Sequence, residues 1–458
     1  MDAGELLPED VLADVLRRLA PRCLAASRCV CRAWRAAVDG RGLLRADLLP
    51  LSLGGIFINT DETWMSWLLS RPTSGPAVSA DLSYAFPADD ICDSFRVRDH
   101  CNGLLLLQDR VVVNPATRRW ARLPPRPPPS MGAGYFYTEE YLAFDPAVSP
   151  HYEVFSIPRL RRKPRRPDGE PFKGEGSHVP IKKLDPELEE LEWPPMACVL
   201  HVFSSTTGRW EERSFARRGE AAGTIADMRN DTFIDHRDAV YWRGALYVRC
   251  QTDFVMRLSL SSGTYQLIQP PAPFEPYDFF DLSCAKRLSI GKSKQGVYSV
   301  LVDEGQIEVW ILNEADGQIK WVPKHLHCRL PRLQEQYKYL ESNGPWMLQS
   351  IIHGESKNEA AVQEKFEWDS DDDNVLEPDN GVRSGYQRFI NFLGFHPYKD
   401  VIFLNDSLKR VLAYHLNSSK IQDLGAPLDG NDCINELICI ESSFPYTPCW
   451  MGDFPENN

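Results

Sequence analysis

Three short stretches of the 458-residue chain carry residue types that could do chemistry. His325, His327 and Cys328 bring two imidazoles and a thiol close together. On a strand the two histidines would share one face, the beginning of a zinc-type ligand set. No second ligand cluster accompanies them, so incidental histidines at a sheet edge explain the spacing, and neither a metal nor a cofactor is assigned. Gly291-Lys292-Ser293 has the ending of a phosphate-binding loop, but Lys286 stands where that loop needs its first glycine. Asp369, Asp371, Asp372 and Asp373 offer carboxylates to a cation. They lack the alternating spacing, the glycine and the closing glutamate of a calcium loop, and fit a solvated loop. There is no nucleophile elbow and no zinc signature, and spacing alone sets no two carboxylates side by side. No catalytic residue is therefore assigned.

The elements around these residues are of two kinds. In the first fifty positions Leu7, Val11, Leu12, Val15, Leu16 and Leu19 recur at three- and four-residue steps, one face of a helix. Pro8 suits a first helical turn, and Glu9, Asp10 and Asp14 suit the positive end of the helix dipole. Pro21 interrupts. Leu24, Ala25, Val30, Cys31, Trp34 and Val38 resume helical spacing, with Gly40 and Gly42 at the end. About forty residues bury too little surface to be stable unaided, so this unit implies a partner surface.

The combination Leu7-Pro8, Val11-Leu12, Val15-Leu16, Leu19 and Arg28-x-Val30-Cys31-Arg32-x-Trp34-Arg35 resembles an F-box, over roughly Leu6 to Leu48. Ala20 stands where many members place a proline, and the end lacks the common Ser-Pro-x-Phe. The resemblance implies three helices that dock onto the Skp-type adaptor of a cullin–RING ubiquitin ligase, while the rest of the chain captures a client protein. Carried onto this sequence, Leu7, Pro8, Val11, Leu12, Val15 and Leu16 would meet the adaptor, and Leu24 and Val30 would extend that surface. Leu19, Cys31 and Trp34 would hold the helices together.

Beyond Asp47 short β-rich runs take over, separated by Gly, Pro, Ser, Asn and Asp, and the runs repeat. Leu104–Leu107, Val111–Val113, a turn at Asn114–Arg119 and Trp120 match Ala245–Val248, Phe254–Leu258, a turn at Ser261–Thr264 and Tyr265. Further copies lead to Trp210, Ile319 and Ile421. The five anchors are 90, 55, 54 and 102 residues apart, and two of these gaps are close to the length of a kelch-type blade. The longer gaps hold insertions, near 159–192 with a basic start and an acidic end, and near 354–384; both read as surface loops. A leading segment near Gly54–Asn59 and Leu82–Phe86 and a closing strand at Leu437–Ile440 complete the pattern. The expectation is a multidomain α+β chain, with a three-helix unit over 1–48 and an all-β, propeller-like domain of six to eight blades over 49–458. Trp120, Trp210, Trp242, Trp310 and Trp321 are expected to pack between blades. Asn114-Pro115-Ala116-Thr117-Arg118-Arg119-Trp120 and Phe144-Asp145-Pro146 are similar to segments of the β domains associated with plant F-box proteins.

Composition narrows the function. The net charge is −13, and eight arginines against seven acids in the first fifty residues leave the remainder near −14. Such a surface repels nucleic-acid phosphates, which counts against reading the N-terminal arginines as a DNA-binding helix pair. No basic-then-apolar leader and no membrane-length apolar run is present, and the twelve cysteines are scattered without a CxxC pair. An intracellular protein, cytoplasmic or nuclear, is expected, with no nucleic acid and no membrane among its partners. The leading expectation is a non-catalytic receptor subunit that joins an adaptor, and through it cullin and RING subunits, to an unidentified client. The alternative is a propeller-fold enzyme acting on a small molecule, which would need polar groups converging at the ring's centre.

Overall fold

A computed structural model describes residues 8–19, 24, 27–28, 30–41, 43, 53–60, 65–71, 78–86, 95–127, 136–160, 186–229, 238–272, 287–303, 306–315, 318–330, 346–352, 390–406, 410–425 and 440–450. Leu7, most of the 159–192 insertion and all of the 354–384 insertion lie outside these residues. In the N-terminal unit, helix α1 (Glu9–Leu16) begins after Pro8, whose carbonyl accepts the Leu12 N–H at 3.0 Å. Helix α2 (Arg32–Gly40) packs against it. Of the three helices expected, these two have described bounds.

The described residues beyond this unit are chiefly β. Strands β1 (Gly55–Thr60) and β2 (Ser66–Ser70) form a hairpin, and its neighbours come from far along the chain. A meander follows: β3 (Val97–Cys101), β4 (Leu104–Leu107), β5 (Val111–Asn114) and β6 (Arg119–Arg122). The next consists of β7 (Phe136–Phe144), β8 (Tyr152–Leu160), β10 (Ala197–Ser204) and β11 (Arg209–Arg218). Between and after its members, the two-residue strands β9 (Glu192–Trp193) and β12 (Gly223–Thr224) pair with each other. Strands β13 (Ala239–Trp242), β14 (Ala245–Arg249), β15 (Val255–Ser259) and β16 (Thr264–Ile268) make another meander, and a parallel pairing of β11 with β16 joins the two into one eight-stranded sheet. Strands β17 (Arg287–Ser293), β18 (Gly296–Asp303), β19 (Gln306–Ala315) and β20 (Gln318–Arg329) form a sheet of their own. Strand β21 (Met347–Ser350) returns to β2. Strands β22 (Ile390–Phe395), β23 (Val401–Asp406), β24 (Arg410–His415) and β25 (Ile421–Gly425) form the last meander, and β26 (Ile440–Tyr446) pairs with β1.

The first strands of the meanders touch in sequence, β3 to β7, β7 to β13, β13 to β17 and β17 to β22, and β26 touches both β22 and β3. The large all-β domain is thus a propeller-like ring. The repeats legible in the sequence are the last three strands of each meander. Their turn residues lie between the third and fourth strands, where Gly208 and Gly263 adopt positive φ. Hydrophobic clusters fill the spaces between neighbouring sheets: Leu104, Leu106 and Val112 meet Leu142, Val154 and Phe203, and Val300 and Val309 meet Ile402 and Leu412. Each sheet therefore buries both faces, as the continuous apolar runs require.

Tryptophans knit successive sheets. Trp210 on β11 donates its indole N–H to the Pro124 carbonyl, just beyond β6, at 3.0 Å. Trp321 on β20 does the same to the Gln269 carbonyl, just beyond β16, at 3.0 Å. Trp210→Phe keeps the packing and removes one such bond. Its expected cost is about 1 kcal/mol, read as a lower urea midpoint with an unchanged slope.

The structure corrects three expectations. Leu82–Phe86 contains a short 3-10 turn (Ser83–Ala85), not a strand, and its apolar side chains cap a cluster beside β4 and β5. The closing strand, expected to end at Ile440, continues from there to Tyr446, and Leu437, Ile438 and Cys439 lie outside the described residues. The insertion near 159–192 is narrower than its charges suggested. Arg159 is the penultimate residue of β8, with its side chain buried and bonded to the Tyr141 hydroxyl at 2.6 Å and the Arg249 carbonyl at 2.7 Å. The acidic end is ordered as helix α3 (Pro186–Glu189) and β9.

Candidate functional site

The N-terminal unit divides its apolar residues between two adjoining stripes. Successive residues on a helix are 100° apart, so Leu12 and Leu16 point one way while Val11 and Val15 point to the flank beside them. Leu12, Ala13 and Leu16 are buried with Ala37, Val38, Leu24 and Leu43, and Trp34 packs half-buried at the edge. Leu12, Leu16 and Leu24, expected on the free flank, are therefore the bundle's own core. Pro8 is exposed, and so are Val11 at 44%, Val15 at 47% and Val30 at 62%. Leu19, expected inside, is exposed as well: it follows Val15 by four residues and prolongs the outer stripe. Cys31 is half-buried. Arg41 reaches Asp10 at 2.5 Å, tying the end of α2 to the start of α1.

A second concentration of functional groups lies at one end of the ring axis. Lys292, near the end of β17, donates to Asn102 Oδ1 at 2.6 Å and to the Tyr241 carbonyl at 3.3 Å. It thereby joins β17 to β13 and to the turn after β3. Its neighbour Ser293 donates to the His396 carbonyl at 2.8 Å, beyond β22. The Gly291-Lys292-Ser293 stretch is thus a strand end that locks the ring, not a phosphate loop. Asp99 sits at an inward position of β3 between Val97 and Cys101, and Oδ2 accepts the Leu142 N–H of β7 at 2.6 Å. That charged residue in an apolar alternation is the sequence signal for this site, and it was missed. For Lys292 and Asn102 no such signal exists, because their meeting depends on how distant meanders close.

Burial pushes the Asp99 carboxyl up to about 7, against the pull of the Leu142 and His100 N–H groups and of Lys292. Burial also pushes the neighbouring His100 imidazole down to about 3, with Lys292 adding to the effect. An acid held above its ordinary value supports the fold only while protonated. The Asp99 contribution declines as pH rises from about 4 to about 7 and stays low above that. His100 acts in the opposite sense, losing stability as pH falls below its unfolded value near 6.5. Asp99→Asn, whose amide oxygen can still accept from Leu142, isolates the first effect. Its melting temperature is expected to exceed the parent's by more at pH 8 than at pH 5, by the equivalent of a few kcal/mol at most, on the order set by a buried carboxyl. Thermal melts of both chains across that range check it.

The remaining candidates fall elsewhere. His325 on β20 faces the Tyr414 hydroxyl at 3.2 Å, and the side chains of His327 and Cys328 lie outside the described residues. Among the described residues no three His, Cys, Asp or Glu side chains gather as a metal site, and no helix is long and apolar enough to cross a membrane.

Together these features define a class: a small helical module with an uncovered apolar flank, in one chain with a propeller-like β ring. Residues 5–45 match the family model described as the F-box domain, so the chain carries an F-box domain. It is also similar to an Arabidopsis thaliana protein described as an F-box protein, 27% identical over 201 residues. That alignment takes in 42% of this chain and 65% of the relative, so the chain spans a little under two thirds of the relative's length. Among solved structures, Citrobacter koseri AztD aligns over 72% of this chain and 70% of its own at 10% identity and a TM-score of 0.26. YCF48 from Cyanidioschyzon merolae aligns over 82% of this chain and 86% of its own at 9% identity and a TM-score of 0.25. At such scores the likeness carries no argument.

Proposed function

We propose that the protein is the substrate-recognition subunit of a Skp–cullin–F-box type ubiquitin ligase. The observation that carries this reading is the exposed stripe of Pro8, Val11, Val15 and Leu19, with Val30 exposed as well, on a bundle whose Leu12, Ala13, Leu16, Leu24, Ala37, Val38 and Leu43 are already buried. Exposed apolar side chains gathered on one face mark an interaction site. The adaptor covers that stripe, Leu12, Leu16 and Leu24 support it from beneath, and cullin and RING subunits follow through the adaptor. Residues 1–48 are the F-box unit and 49–458 the recognition domain. The recognition domain is a six-bladed ring, each blade four strands, with the sixth assembled from β26, β1, β2 and β21.

The chain forms and breaks no bonds in this reading. It raises the effective concentration of client lysines near a charged ubiquitin carrier, and needs no cofactor. It works in the cytoplasm or nucleus. An enzymatic role would have to use the axis, where Lys292, Asn102 and Asp99 instead bind neighbouring strands and hold the ring. Co-expression of the full chain with a Skp-type adaptor tests the proposal. A stable complex on size exclusion is expected, and two separately eluting proteins would overturn it.

A further inference from the structure

Among the described residues the large apolar side chains left exposed fall in two groups and two singletons. One group is the F-box stripe; the other is Leu188, Leu191, Met196 and Val199, all within one short stretch that leads into β10. Val148 and Leu326 stand alone, which is ordinary for a folded surface. Four in one stretch is not ordinary, and the stretch is held firmly. Arg217 and Arg229 are buried. Arg229 donates to Glu189 Oε1 at 2.9 Å. Arg217 donates to the Pro194 carbonyl at 2.6 Å and pairs with the Glu192 carboxylate. The Leu191 carbonyl accepts the Ile225 N–H at 2.9 Å, and the Trp193 carbonyl accepts the Ala222 N–H at 3.0 Å. Trp193 is itself buried and stacks on Phe136 with 5.5 Å between ring centres. Buried arginines and a buried tryptophan thus clamp a ledge whose leucines and methionine face solvent. The ordering cost of such a ledge has been met by the fold, as a preorganised docking surface requires.

We infer that this ledge docks a client segment carrying apolar side chains flanked by lysines or arginines. Charge decides the chemistry of the occupant. Glu189 and Glu192 neutralise the two clamping arginines, while Glu190, Glu220 and Asp227 are exposed around the ledge, and among the described residues beside them Arg218 is an exposed cation. The ledge therefore presents grease rimmed by net negative charge, on a chain that carries −13 overall. An acidic segment would be repelled, and a basic one steered in. This rests on the receptor reading above, whose client it describes.

The test uses the full chain and a short synthetic peptide in which leucines are spaced by lysines and arginines, followed by fluorescence anisotropy. The parent is expected to bind it with an affinity that falls as salt rises. Leu191→Asp with Met196→Asp should weaken binding by about tenfold or more, as truncating an interface anchor does. Glu190→Lys with Glu220→Lys should weaken it less and remove most of its salt dependence. Val148→Asp should change nothing. Peptides with serine for leucine, or glutamate for the basic residues, should not bind. The inference is overturned if the parent does not bind the basic peptide, if the acidic peptide binds equally, or if the ledge variants bind like the parent. All substituted residues are exposed, and thermal melts verify folding. Adaptor binding, measured on the same variants, should stay at the parent's level, and Val11→Asp with Val15→Asp should keep the peptide. A parent chain that binds the peptide but not the adaptor would count against the receptor reading and leave the ledge standing.

Discussion

A chain ending at residue 439 is expected to lose cooperative folding of the whole β domain. Strand β26 is the piece that β1, β22 and β3 all touch. Phe444 and Tyr446 are buried in the cluster shared with Phe57, Leu105 and Val113. Deleting one buried aromatic side chain costs about 3–5 kcal/mol, and domain stability is about 5–15 kcal/mol in all, so losing two, along with the strand's ladder, leaves little. The polar contacts fail with them. Asn59 Nδ2 donates to the Val97 carbonyl at 2.8 Å and meets Ser442 Oγ at 2.8 Å, while Arg96 pairs with Glu441. The neighbours are also cut to fit. A Cβ on Gly394, at φ +137°, would lie 2.2 Å from Pro445 Cγ, and one on Gly103, at φ +94°, would lie 2.2 Å from Cys449 Cβ. Such close approach leaves a trough that only this segment fills. Circular dichroism melts and limited proteolysis of the truncated chain check the result, and a peptide of residues 440–450 added in trans should restore protection. A truncated chain that melts at the parent's temperature would show that the ring does not depend on β26.

The second large effect separates the two stripes of α1. Val11→Asp with Val15→Asp places two carboxylates on the exposed flank. The bundle should stay folded, because neither side chain lies in its core. Adaptor binding should fall by about a hundredfold or more, since an unpaired carboxylate buried at an interface costs several kcal/mol. Leu16→Asp is different: Leu16 is fully buried against Ala37 and Val38, so the charge should unfold the bundle before any question of binding arises. Calorimetric titration against the adaptor, with far-ultraviolet circular dichroism of each variant, distinguishes a lost interface from a lost fold. A double valine variant that binds like the parent would remove the proposed stripe.

What could be read from the residues was local. The helical spacing of Leu12 and Leu16 and of Trp34 and Val38, the strand–turn–strand repeats, and the apolar runs Leu104–Leu107 and Val111–Val113 each depend on near neighbours, and each of these became the expected element. Periodicity marked an apolar helix side but not its division. Val11 and Leu12 have the same chemistry, and only the position of α2 decides which is covered. Charge misled wherever burial supplied a partner. Arg159 read as part of a surface cluster, and Glu189 and Glu192 as a solvated run, because the residues that satisfy them, Tyr141, Arg229 and Arg217, are far away in sequence or unremarkable in type.

The closing strand shows the same boundary. Ile440–Tyr446 carries two serines and a proline where β-rich patterning was sought, so the apolar run just before it looked the better candidate. Its serines serve Asn59 and the Phe392 carbonyl, partners that exist only once the ring is shut. The residues alone determined the helical unit, the repeat and the absence of net positive charge, because propensity and periodicity act over a few positions. The tertiary structure decided which apolar side chains remain open, which charges are clamped and where the ring closes, because those outcomes depend on contacts between residues hundreds of positions apart.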